Sequence, residues 1–245
     1  MTLKLISPTY YLWLIKRLFL FLLHPSAKQD KSLAKVDKIR DVIILFLLKF
    51  VTSSILAIAI KSFLNYDNTG FAEAKTLYSP ILLLILGVVI LPLIEEIAFR
   101  LMMLFKPEHL SLSFAVLVYY IFTKGFFQTY VTDIDNFFLT RVTIGFIAGF
   151  AMYFIVLKHE PKFRKFWELN FKWIYYSSFV LFAWIHILNY DITLEVLLLM
   201  PILTLPQLIG GVVYGFVRVK YGFVYSCILH GLNNIVPIGL TLVLY

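Results

Sequence analysis

The chain has 245 residues, 61% of them hydrophobic and 15% charged, with a formal net charge of +8 and a mean hydropathy of +0.87. No soluble fold of this length hides that much apolar surface, so the composition excludes a water-soluble domain and points to an all-α, polytopic membrane helix bundle. Cys227 is the sole cysteine, which excludes a disulfide framework or a thiolate metal cluster within one chain, and no motif behind the basic charge suggests nucleic acid.

The first element, Tyr10 to Leu23, is aromatic and leucine-rich but carries Lys16 and Arg17 in its middle and lacks a small-residue cleavage site. That pattern predicts an uncleaved amphipathic helix in the membrane interface. Windows of about 20 residues then predict seven transmembrane helices: Val42 to Leu64, Ile81 to Phe105, Leu110 to Tyr130, Phe137 to Leu157, Trp173 to Asn189, Thr193 to Val217 and Phe223 to Leu244. Residues 1–78 form an N-terminal part and 79–245 the main domain. Basic residues gather before the first span (Lys28 to Arg40), after the fourth (Lys158 to Lys172) and after the sixth (Arg218, Lys220), whereas Asp67, Glu73, Asp133, Asp135, Asp191 and Glu195 occupy the alternate loops. By the positive-inside rule the N-terminus is cytoplasmic and the C-terminus lies on the opposite side.

Few ionisable groups lie deep. Glu95, Glu96 and Arg100 sit in the second span, His186 in the fifth and His230 in the seventh, while Lys49 is expected to snorkel from the first. At 1.5 Å per residue, Glu95, His230 and His186 lie at roughly 15, 11 and 20 Å from the cytoplasmic ends, compatible with one site. Neighbouring glutamates point about 100° apart, so they should not face the same partner. Arg100, four residues after Glu96, is placed to neutralise it and leave Glu95 free as a base or ligand. His230 and Asn234 share a helix face, and Gly231 is expected to leave room for a substrate backbone.

A glutamate with a histidine activates water, and a histidine with an asparagine donates to an oxyanion; peptide hydrolysis needs both. Ser226 and Cys227 reach the His230 face and are possible nucleophiles, although a membrane-helix serine usually bonds its own backbone and a buried cysteine usually acts as a small hydrophobe. Gly145 with Gly149 and Gly211 with Gly215 read as close-packing pairs.

These residues resemble three motifs of the CPBP (CAAX protease and bacteriocin-processing, or Abi) intramembrane endopeptidases: Glu95-Glu96-x-x-x-Arg100, Phe182-x-x-x-His186 and His230-x-x-x-Asn234. The resemblance covers roughly Ile81 to the C-terminus. It implies that Glu95 and His186 polarise the attacking water, that His230 and Asn234 hold the oxyanion, and that Glu96, Arg100 and Phe182 support them. It implies no required cofactor, but some members are metalloproteases, and Glu95, His186 and His230 would then be the zinc ligands. The partners implied are a peptide or membrane-protein substrate and the bilayer. The 91 positions between Glu95 and His186 exceed the family's usual spacing by two helices, which preserves parity and keeps the two motifs on antiparallel helices. Two other functions fit the buried charges: an ion-coupled transporter, for which no internal repeat is visible, and a silent scaffold or bacteriocin immunity factor of the same fold.

Overall fold

The computed structural model of the chain describes residues 7–66 and 74–243, and its elements are all helical. In chain order they are α1 (Pro8–Leu23), α2 (Lys35–Leu64), α3 (Pro80–Leu84), a π-helical segment (Ile85–Ile90), α4 (Leu91–Phe99), α5 (Pro107–Ile121), α6 (Phe138–Lys158), α7 (Glu160–Ile185), α8 (Leu194–Leu203), α9 (Leu205–Lys220) and α10 (Phe223–Val243). Among the described residues six stretches are long and apolar enough to cross a bilayer, and α8 with α9, a pair bent by 42°, passes the same test together as a broken span or a re-entrant loop. The chain is an integral, multi-pass membrane protein. Asp67, Glu73 and the Leu244 end of the last expected span lie outside the described residues.

Two spans differ from their hydropathy windows. The sixth is broken at Thr204, because Pro201 inside α8 and Pro206 in the first turn of α9 remove backbone donors. The basic stretch after Lys158 is not a loop but the start of α7. Pro161 suits a helix N-terminus, Glu160 pairs with Arg164 at 2.5 Å, and the helix kinks at Asn170.

α1, at 16 residues, is too short to span and docks on the bundle, with much of its outward face apolar. Leu14 and Phe21 are buried, whereas Leu12, Trp13, Phe19 and Leu20 stay exposed. Asp41 of α2 ties it down by accepting hydrogen bonds from Tyr10 (2.5 Å) and from Tyr221 after α9 (2.7 Å). Arg17 of α1 pairs with Asp30 and donates to the Tyr221 hydroxyl.

α9 is the centre of the bundle, packed against α2, α7 and α10 and buried along almost its whole second half. The expected close-packing glycines act as predicted. A Cβ at Gly211 or Gly215 would stand 2.8 Å from Phe179 or Tyr175 of α7, and one at Gly149 would stand 2.6 Å from Ala115 of α5. The additional pair α5 and α6 packs on itself and on α4, where Ser113 donates to the Ile97 carbonyl at 2.6 Å. It does not separate α4 from α7, whose direct contact includes Ser178 donating to the Phe99 carbonyl at 2.6 Å.

Candidate active site

α4 carries both glutamates in its last turns, with Arg100 at its C-terminal end. The end of a buried helix exposes carbonyls that need donors. Arg218 supplies them: its Nε and Nη2 bind the Arg100 and Leu101 carbonyls, each at 3.0 Å. Arg218 is therefore a buried cap rather than the cytoplasmic loop charge the sequence suggested.

Glu96 is fully buried and held from three sides. Arg100 Nη1 lies 3.4 Å away, Ser226 Oγ donates to it at 2.5 Å, and His230 Nδ1 lies at 3.0 Å. The expected Glu96–Arg100 pairing is present, and Arg100 also sits 3.6 Å over the Phe182 ring. Ser226 does not face the imidazole: its hydroxyl is spent on Glu96 or the Tyr214 carbonyl.

Glu95 Oε2 lies 3.5 Å from His230 Nε2. Both glutamates thus face one histidine, contrary to the expectation from helix geometry. An imidazole carries nitrogens on two edges, and α10 inserts His230 between carboxylates that diverge around α4. Glu96 is locked, whereas the Glu95 contact is longer than an ordinary N–H···O bond and leaves that carboxylate unclamped. Tyr214 stacks on His230 at 4.5 Å between centroids, and Phe182 meets its edge at 5.6 Å. Tyr214 carries no signal in the sequence that separates it from the other tyrosines.

His186 opens the 3₁₀ turn His186–Asn189 and packs on Phe182 at 4.8 Å. Its Nδ1 lies 2.7 Å from the Phe182 carbonyl, which only accepts, so the network assigns the proton to Nδ1 and a free lone pair to Nε2. One phenyl ring thus connects Arg100, His186 and His230. Asn234, a turn beyond His230, donates through Nδ2 to the Gly87 carbonyl of the π segment at 2.9 Å.

Two further expectations change. A Cβ at Gly231 would stand 2.8 Å from the Val88 carbonyl, so this glycine admits the π segment and not a substrate backbone. Lys49 does not snorkel: it is 7% exposed and donates to Asn233 Oδ1 at 2.6 Å. Among the described residues no three His, Cys, Asp or Glu side chains are grouped to hold a metal ion.

Between the π segment and α10 lies an apolar lateral cavity of about 340 Å³, lined by Val88, Pro92, Leu93, Cys227, Gly231 and Leu232 among others. It flanks the strand of α10 sequence that carries His230. No curated protein and no solved structure matches the chain. A family described as type II CAAX prenyl endopeptidase Rce1-like matches residues 77–236, well over half the chain and the whole stretch from Glu95 to Asn234. On that match the chain belongs to the Rce1-like type II CAAX prenyl endopeptidase family, a family of intramembrane proteases.

Proposed function

We propose that the chain hydrolyses a peptide bond with a water molecule activated by Glu95. The observation that carries this reading is the unequal treatment of the two glutamates around His230. Glu96 is immobilised by Arg100, Ser226 and His230 Nδ1, while Glu95 meets Nε2 only at 3.5 Å and remains able to take a proton. A base must be held but not consumed.

In this reading Glu95 removes the proton from water, and the free Nε2 lone pair of His186 orients that water. As the tetrahedral intermediate forms, its oxyanion is met by Nε2–H of His230, whose ring acts as an imidazolium protonated on both nitrogens between the two glutamates. The second N–H of the Asn234 amide joins it, the first being committed to Gly87. Collapse of the intermediate breaks the C–N bond, and Glu95 returns its proton to the leaving amine. Glu96 keeps Nδ1 of His230 protonated and fixes the imidazole plane, together with Tyr214.

The apolar cavity beside Gly231 supports a substrate carrying an apolar group that enters from the bilayer. The family name points to the prenyl cysteine of a CAAX sequence as that group. The test is proteomic: membranes from cells expressing the intact chain are compared with those expressing Glu95→Gln. New peptide termini confined to the intact chain are expected, and Asn234→Ala should slow their formation by roughly 10² to 10³. Identical termini in both samples would refute the reading.

A further inference from the structure

The π segment, Ile85–Ile90, carries backbone on which the candidate site depends, yet the protein packs it poorly. Its Gly87 carbonyl takes the Asn234 amide at 2.9 Å and its Val88 carbonyl abuts Gly231, but none of its six residues is buried. A π turn is rare and occurs mostly at functional sites, and side chains with no partner atoms on one side forfeit their dispersion contacts. One side of the segment faces α10 and the cavity of about 340 Å³ already described. The other faces a second cavity, of about 490 Å³, enclosed between the π segment, α4 and the α5–α6 pair.

None of the residues lining this second cavity is charged. Leu86, Ile90 and Ile94, four apart along the chain, form one wall, and Ala115, Tyr119, Val142 and Phe146 form the other. The loop joining α5 to α6 roofs it with Val131 and Thr132. The two polar members are engaged: Tyr119 donates its hydroxyl to the Val131 carbonyl at 2.6 Å, and the Thr132 hydroxyl lies 3.1 Å from that of Tyr78. Arg141, next to the wall residue Val142, is turned to the Asp133 carbonyl at 2.7 Å and to Asp135 at 3.2 Å. A ligand in this cavity therefore meets aliphatic and aromatic surface only. Ile90, Ile134, Val142 and Phe146 are exposed at its rim, so the cavity is continuous with the lipid-facing surface of the spans.

We propose that one acyl chain of a bilayer phospholipid occupies this cavity and packs the face of the π segment that the protein leaves open. The volume falls within the range of about 300 to 1,000 Å³ typical of sites that take one small ligand. The geometry favours a lipid over the tail of a substrate. Glu95 follows Ile94 and points about 100° away from it, toward His230, so a substrate held at Glu95 lies on the other side of α4. Bilayer chains, in contrast, stand against the rim at all times, and each methylene that enters supplies the π segment with contacts it otherwise lacks. Occupancy by a lipid chain is independent of how Glu95 acts.

Photo-cross-linking tests the assignment. The full chain is placed in nanodiscs of phosphatidylcholine, a small part of which carries a diazirine on one acyl chain, and labelled residues are mapped by mass spectrometry after irradiation. Phe150 and Phe154, exposed on α6 outside the cavity, report ordinary lipid contact. Labelling of Leu86 and Tyr119 is expected to exceed theirs by about tenfold, the factor that two more buried methylenes give. Val142→Trp, which places an indole at the rim, should abolish that excess, and Val142→Ala should keep it. If Val142→Trp does not fold, Ile134→Trp on the roof loop should lower the excess in its place. Equal labelling of the cavity and of Phe150 and Phe154 overturns the proposal, and so does an excess that survives the tryptophan variant. An S-farnesyl cysteine carrying the same diazirine is the second probe. Stronger labelling of the cavity by this probe than by the lipid would assign the cavity to a substrate tail and refute the lipid. No step of the test reads hydrolysis, so failure of the peptidase reading leaves the result standing.

Discussion

Ser226 donates its hydroxyl to Glu96 across 2.5 Å and leaves the imidazole of His230 to the two glutamates. A serine so engaged is a support for a carboxylate and not a nucleophile. Ser226→Ala is therefore expected to lower stability by about 1.5 to 3 kcal/mol, the worth of a hydrogen bond to a charged group, while folded molecules keep hydrolysing. Thermal unfolding and turnover measured on the same preparation check both halves. Cys227, on the wall of the lateral cavity, should tolerate Cys227→Ser with little effect. Trapping an acyl-enzyme on either residue would overturn the water mechanism.

Arg100 lies 3.4 Å from Glu96 and 3.6 Å above Phe182, with none of it exposed. Removing it strands a buried carboxylate and strips the ring of its cation. Arg100→Ala should cost about 3 to 5 kcal/mol in the membrane, as breaking a buried pair does. Phe182→Leu should cost less, because the ion pair survives. Normal thermal stability of Arg100→Ala with lost activity would instead make Arg100 a substrate-binding group.

The helices and the acid–histidine motifs were legible because both are local: apolar runs of spanning length, and residues four apart on one helix face. What the sequence hid was long-range. Hydropathy windows are blind to Pro201 and Pro206, so they joined α8 to α9, and they read the charged start of α7 as a loop. Charge counting treated Lys49 and Arg218 as surface cations, whereas one meets Asn233 of α10 and the other caps α4. Each partner lies more than a hundred positions away in the chain, where no spacing rule reaches. The stacking of Tyr214 on His230 is hidden for the same reason.

Outside the spans, Asp133 holds together the turn that follows α5. Burial alone would raise its carboxyl, but hydrogen bonds from Thr129 (2.6 Å), the Tyr130 amide (3.1 Å) and Tyr78 (2.9 Å), with the charge of Arg141, hold it below the ordinary carboxylate value. A depressed folded-state value contributes stability that is complete above the unfolded value, near 3.9, and is lost as pH falls through the folded one. The unsubstituted chain should therefore melt above Asp133→Asn at neutral pH, and the two curves should converge as pH falls through the depressed folded-state value. A gap that persists in acid would assign the difference to shape rather than charge.

Gly231 brings α10 against the π segment, with a would-be Cβ 2.8 Å from the Val88 carbonyl. A backbone carbonyl cannot swing aside as a side-chain tip does, so Gly231→Ala must move α10 relative to α4. His230 is the preceding residue, and its 3.5 Å approach to Glu95 would change with it. A displacement near 1 Å at a reacting pair costs on the order of 10² in rate, and overpacking costs about 1 to 3 kcal/mol in stability. Gly125→Ala is the matched control, since nothing lies within 4 Å of a Cβ at that position. Its expected effect is small, and a modest gain of about 0.4 to 1 kcal/mol would follow from the reduced freedom of the unfolded chain. Turnover and unfolding temperature of the two variants, measured in the same lipid, decide the point. A Gly231→Ala variant as active as Gly125→Ala would mean that the contact with the π segment does not set the position of His230.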